Sequence, residues 1–277
     1  MDIKLRKTEF KISVGENIDA WNYINSGLWE PHSFNIFDAF INTNDTILDI
    51  GSWSGVLSLY AANKVKKVYA IDPDPVCFKE LEVNIKLNSN LVDKISAHNV
   101  AISDKKETLH LYAREAYGKS SSSILSRKRD NLKSLQIETV TLLNFLKQEK
   151  IEHVHFIKMD VEGAEFKILP NIKKALEEMS YPTLYISFHY DYLNEHLYGK
   201  YVNSKLLNKL LLKLEKSLGF SIFKKRIKRQ ISHLFDDLLQ YKYIYTSQGE
   251  LIENMYLKQH PECIKEYDLV FTNKKWK

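Results

Sequence analysis

Cysteine is nearly missing from this chain of 277 residues: only Cys77 and Cys263 occur. They stand far apart and have no metal-binding partners at useful spacing, which excludes a disulfide framework and a zinc site of the finger type. Nine glycines and six prolines gather into no linker, and neither a repeat nor a long low-complexity tract is present, so nothing separates independent domains. No run approaches the roughly 20 apolar residues that cross a bilayer. Residues 1–21 interrupt their apolar positions with charge, which leaves no signal-peptide core, and a reducing cytoplasm is the expected location. A dominant charge is lacking too. With 40 basic and 35 acidic residues the net charge is +5, which argues against a nucleic-acid partner. The densest basic run, Lys224, Lys225, Arg226, Lys228 and Arg229, reads as a solvated helix face or loop.

What remains is an ordinary globular composition, 44% hydrophobic and 27% charged, in a chain long enough for one elaborated domain. From residue 46 onward, short β-branched runs alternate with amphipathic stretches, the pattern of βαβ units around a mainly parallel sheet. Strands are expected at Thr46–Ile50, Lys67–Ile71, Ile95–Val100, Val154–Met159 and Thr183–Phe188. Helices are expected at Val56–Asn63, Pro75–Asn88, Leu142–Lys150 and Ala164–Glu178. Thr108–Tyr112 and Glu138–Thr141 read as added strands, and Leu206–Leu218 as a core-facing helix. Tyr241–Tyr245 and Asp268–Thr272 suggest a terminal antiparallel hairpin, with residues 247–250 as a turn. The serine run at residues 120–123 is either a plain loop or one that closes over a site.

An open parallel sheet binds its ligand beyond the carboxyl ends of its strands, and acids stand there on three of them: Asp49, Asp72 and Asp160. The first strand enters Asp49-Ile50-Gly51-Ser52-Trp53-Ser54-Gly55, where two glycines permit a tight turn and a close ligand approach. In the dinucleotide fingerprint a glycine stands at the position of Trp53. The turn therefore suits an adenosine cofactor without a pyrophosphate, with Asp49 near a cationic group. Asp72 is placed to accept hydrogen bonds from a ribose diol, and Asp74 to cap the next helix. Asn99 and Ala101 lie where the adenine would rest. At the fourth strand Asp160 and Glu162 either supply a general base or hold a divalent cation, Glu162 having a helix cap as its plainer role. His189, directly after the fifth strand, is a second candidate base. His153 and His155 read as ordinary residues at the far end of the sheet.

These residues resemble the FkbM-type methyltransferase family. The matching pieces are Leu48-Asp49-Ile50-Gly51, Asp72-Pro73, Ala101-Ile102-Ser103-Asp104, Ser121-Ser122-Ser123, Val140-Thr141-Leu142, Phe271-Thr272-Asn273 and the long segment from Ile157 to Glu165. The resemblance implies an α/β fold of the class I, Rossmann-like methyltransferase type, S-adenosylmethionine as cofactor, and O-methylation of hydroxyls on sugars or secondary metabolites. It places cofactor contacts at Asp49, Gly51 and Asp72, and site residues at Lys158, Asp160, Glu162 and Glu165. Members commonly carry Ala-Asn where this chain has Ser52-Trp53. The segment from Asn25 to Pro31 resembles one branch of the family, so residues 1–45 are expected to be a helical extension covering the site. Residues 46–277 would form the main domain, with a helical and basic insertion near 190–238. The expected reaction is in-line methyl transfer with Asp160, Glu162 or His189 as base. A nucleotide-dependent oxidoreductase and a non-catalytic module binding the cofactor or nucleic acid are the alternatives.

Overall fold

Alternation in the first residues is the period-2 signature of a strand pair. In the computed structural model Ile3, Leu5 and Phe10 point inward from β1 (Asp2–Leu5) and β2 (Thr8–Lys11), an antiparallel hairpin, with Ile12 buried just beyond it. The segment 1–45 is therefore not helical throughout; α1 (Ile18–Asn25) and α2 (Pro31–Phe40) follow the hairpin. The structure describes residues 1–15, 17–113, 116–126, 134–192, 213 and 222–277.

The βαβ series then runs β3 (Thr46–Ile50), α3 (Val56–Ala62), β4 (Lys67–Ile71), α4 (Pro75–Lys86), β5 (Ile95–His98) and the short β6 (Ala101–Ile102). After it come β7 (Thr108–Tyr112), β8 (Ser134–Val140), α5 (Leu142–Gln148) and β9 (Phe156–Met159). The expected helix Ala164–Glu178 is broken into α6 (Glu165–Ile168), a 3-10 turn at Leu169–Asn171 and α7 (Lys173–Glu178). Pro170 explains the break, because it lacks an N–H and disfavours α-helical backbone at the residue before it. The chain continues with β10 (Thr183–Ile186), α8 (Ile222–Leu234), β11 (Tyr243–Thr246), β12 (Leu251–Ile252), α9 (Asn254–Gln259) and β13 (Leu269–Thr272). The helix expected at Leu206–Leu218 lies outside the described residues.

Eight strands form the main sheet in the order β12-β11-β13-β10-β9-β3-β4-β5. From β10 to β5 all neighbours are parallel, while β13 is antiparallel to both β10 and β11. This is the class I methyltransferase arrangement. The two late strands do pair antiparallel, although not as a simple hairpin, since β12 and α9 intervene and β13 inserts between β10 and β11. A smaller sheet, β6-β8-β7, stands beside the main one.

Side chains alternate across the sheet and build two cores. Leu48, Ile157 and Leu184 pack with α5, α7 and α8, whereas Ile47, Phe156 and Tyr185 pack with α2 and α3. The N-terminal segment belongs to the second core: Phe37, fully buried, meets Phe156 edge-on at 5.0 Å. On α8 Ile231 is buried, while Lys225, Lys228 and Arg229 are exposed, a solvated basic face. His155 accepts the Thr46 N–H through Nδ1, at the edge of the sheet remote from the acidic strand tips. Among the described residues no helix is long and apolar enough to cross a membrane.

Candidate active site

Parallel register brings the acidic strand ends together. Asp49 pairs with Lys158 and Ile50 with Met159, so that Gly51 and Asp160 emerge side by side. The Asp160 N–H donates to Ile50 O at 2.9 Å. Gly51, at φ +82°, has no room for a side chain, since a Cβ would stand 1.7 Å from the Asp160 carbonyl oxygen. Beyond these tips opens a cleft with Asp49 to Trp53, Asp72, Lys158, Asp160, Glu162 and His189 in its walls. Ala101 also lines it, and Gly55 caps α3 just behind with φ +95°.

At one end, Asp72 accepts the backbone N–H of Trp53 on Oδ2 at 2.8 Å and that of Asp74 on Oδ1 at 2.9 Å. Burial pushes its carboxyl up to about 7, against those two bonds. Trp53 has a left-handed backbone (φ +48°), stacks on Trp21 at 5.8 Å and donates its indole N–H to Gly118 O. Asn99 is exposed and outside the cleft lining, and its side-chain amide donates to Asp72 O at 2.9 Å.

Asp74 caps α4 as expected, accepting from Val76 and Cys77 N–H through Oδ1. Its Oδ2 also takes the Gly118 N–H at 3.0 Å and the Ser122 hydroxyl at 2.9 Å. Ser123 donates to Glu162 O. The serine-rich segment is thus fastened over the cleft, and Ser120 and Ser122 line it. Asp74→Ala should cost about 1–2 kcal/mol through the lost cap and speed amide exchange at Gly118; wild-type exchange there would deny the anchoring role.

At the other end, Lys158 Nζ donates to Gly51 O at 2.8 Å and lies 3.2 Å from Asp160 Oδ2 and 3.5 Å from Asp49 Oδ1. Burial opposes its charge, yet Asp160, Asp49 and Glu30 outweigh it and raise its pKa. Asp49, fully buried, accepts the Ser58 hydroxyl at 2.6 Å. Burial also works against the Asp160 carboxylate, but Lys158 and His189 hold it below the usual range. The β9–β10 register sets His189 beside Asp160 and Glu162. Its imidazolium is disfavoured by burial, but Glu165, Asp160 and Glu162 prevail and raise the pKa to about 10. A protonated ring is a donor, which counts against His189 as a free base.

The sequence marks Glu30 only weakly. It caps α2 with φ +39°, lines the cleft, and accepts the Ser33 hydroxyl at 3.0 Å. Burial and the Asp160 charge push it up to about 6. Its one sequence signal is its place before Pro31, at the first turn of a helix.

The methyltransferase FkbM domain model matches residues 41–222, more than half of the chain. The chain belongs to the FkbM methyltransferase family. S-adenosylmethionine is the cofactor of this class, and the accepting carboxylates of Asp49 and Asp72 in the cleft wall fit an adenosyl ligand with a cationic end. The chain is 28% identical over 144 residues to an uncharacterized protein of Methanocaldococcus jannaschii, covering 47% of this chain and 54% of that one. It is 25% identical over 186 residues to the methyltransferase sdnD of Sordaria araneosa, covering 57% and 71%. It also matches 78 residues of the ribosomal protein L11 methyltransferase of Ruminiclostridium cellulolyticum at 38% identity, 28% of this chain and 24% of that one. The chain thus spans about half the length of the first of these relatives. Among solved structures, methyltransferase FkbM from Methylobacillus flagellatus is similar with a TM-score of 0.38 and 16% identity, over 64% of this chain and 45% of that one.

Proposed function

We propose that the chain transfers the methyl group of S-adenosylmethionine to a hydroxyl oxygen of a sugar, glycan or secondary metabolite. The observation that carries this reading is the polarity of the cleft. A buried carboxylate with a lone pair spare on each oxygen, Asp72, marks the end suited to a ribose diol. Three carboxylates from two segments, Glu30 before α2 and Asp160 and Glu162 after β9, crowd the other, beside Ser187. Asp49 and Asp160 place negative charge where the ammonium and sulfonium of the donor would lie. Gly51, Ser52, Trp53, Gly55 and Ala101 shape the turn and wall against it.

In the reaction the acceptor oxygen attacks the methyl carbon in line with sulfur, the carbon–sulfur bond breaks, and S-adenosylhomocysteine leaves. The hydroxyl proton passes to a carboxylate. The site's task is alignment and proton removal, because the sulfonium is already a good leaving group. Asp160 is bound to Lys158, and His189 is protonated. Glu30, pushed up to about 6, is the carboxyl best matched to take a proton near neutrality.

Thermal-shift titration with S-adenosylhomocysteine tests the reading. At about a hundred times Kd the ligand adds roughly 2.7 kcal/mol, a rise of several degrees in Tm. A shift with NAD instead would move the chain to the oxidoreductases. Binding should also depend on pH, because the diol needs the ionised form of Asp72. With that carboxyl at about 7, its protonated form gains as pH falls, so affinity should weaken about tenfold from pH 8 to pH 6. Asp72→Asn should flatten this dependence and weaken binding about 10- to 100-fold. A wild-type affinity constant across that range would remove Asp72 from the contact.

A further inference from the structure

At the acceptor end, side chains from two strand ends converge on a small space. Among the described residues, Asp160, Glu162 and His189 form the one group of three in which donor atoms of His, Cys, Asp or Glu all lie within 4.8 Å of one another. His189 Nε2 is 3.6 Å from Asp160 Oδ1 and 3.5 Å from Glu162 Oε1. Both separations are longer than an ordinary N–H···O bond. They match adjacent ligands on one ion, since donors about 2.0–2.2 Å from a metal stand roughly 3–3.5 Å apart.

A second feature is independent of that spacing. The other ring nitrogen, Nδ1, is held by Glu165 Oε1 at 3.2 Å. Glu165 is fully buried, its Oε1 also accepts the Val161 N–H at 3.0 Å, and among the described residues its Oε2 has no hydrogen-bond partner. A buried carboxylate behind a histidine fixes which nitrogen faces outward and raises its basicity as a ligand, the arrangement that supports metal-bound imidazoles. Here it turns Nε2 toward Asp160 and Glu162.

We propose that Asp160, Glu162 and His189 bind one divalent first-row cation of the manganese type, with Glu165 as the residue that positions the imidazole. Two carboxylate oxygens and one imidazole nitrogen form a hard-to-borderline donor set: no thiolate is offered, and the nitrogen disfavours magnesium. Three protein ligands leave open positions, and the group lies in the wall of the cleft. A cation there would displace the ring proton and polarise an acceptor oxygen, lowering the pKa of its hydroxyl. That use rests on the methyl-transfer reading above; the site itself does not.

The test is titration of the purified full chain with MnCl2, free Mn2+ being followed by its electron paramagnetic resonance signal, with MgCl2 in parallel. One Mn2+ per chain is expected, bound at least about tenfold more tightly than Mg2+. Glu162→Gln and His189→Gln should each weaken it by about 100-fold or more, and Glu165→Gln by 10- to 100-fold. The S-adenosylhomocysteine thermal shift of each variant, measured in the same preparation, shows that the fold persists, and Glu162→Gln decides if His189→Gln does not melt cooperatively. Failure of the wild type to bind Mn2+, equal affinity for Mg2+, or unchanged binding in both ligand variants would overturn the proposal. Retained Mn2+ binding with no response to S-adenosylhomocysteine would sink the donor reading and leave the cation site standing.

Discussion

Gly51→Ala should abolish S-adenosylhomocysteine binding and lower stability by about 4 kcal/mol or more. The added Cβ would stand 1.7 Å from the carbonyl oxygen of Asp160 and 2.8 Å from its carbonyl carbon. Both atoms are backbone, and they cannot retreat cheaply. Asp160 N–H is bonded to Ile50 O, the β3–β9 register continues beneath it, and Lys158 grips Gly51 O from the side. The φ of +82° adds strain for any residue with a Cβ. Gly55→Ala is the internal comparison. Its Cβ would crowd the Cδ1 end of the Leu81 side chain, at 2.5 Å, a side-chain tip and not backbone, so with its own positive φ it should cost about 1–2 kcal/mol. Denaturant unfolding and a ligand shift on both variants measure the contrast; equal losses would mean that the approach of β3 to β9 is not what demands glycine at 51.

The same close approach shows what was legible in advance. The five parallel strands and the acids at their tips follow from periodicity, because a buried parallel strand must be continuously apolar and its ligand edge is where polarity returns. Asp74 as a helix cap followed from Pro75 and its neighbours. Other features lay beyond such reading. The β1–β2 hairpin has strands of only 4 residues each, too few repeats for its alternation to stand out in advance. The break at Pro170 divides a stretch whose apolar spacing continues on both sides. Asn99 fell outside the cleft because a strand end gives position along the sheet and not side-chain direction. The grouping of Glu30 with Asp160 and Lys158 is tertiary: a residue far from β9 in sequence reaches the cleft only because α2 packs on the sheet through Phe37 and Phe156. Nor does a sequence reveal that three carboxylates surround His189, which raises the pKa of its ring.

Lys158→Met carries the other large effect, an expected loss of about 3–5 kcal/mol that depends on pH. Lys158 is the positive charge between Asp49 and Asp160, and Asp49 is fully buried with its Oδ1 facing that ammonium. Methionine fills a similar volume, so packing changes little and the charge change dominates. Burial already holds the Asp49 carboxyl above the usual range, with Lys158 the chief opposing influence. Removing the lysine raises the folded pKa further above the unfolded one. A group shifted in that direction is best tolerated while protonated, so the variant should come closest to wild type in mild acid and lose stability as pH rises through the folded pKa. Unfolding free energies of both proteins from pH 5 to pH 8 measure this, and their difference should widen toward pH 8. Adding Asp49→Asn to Lys158→Met removes the stranded charge and should recover much of the loss at pH 8. A pH-independent difference, or no recovery in the double variant, would show that Lys158 stabilises the strand tips through its bond to Gly51 O and not by neutralising the acids.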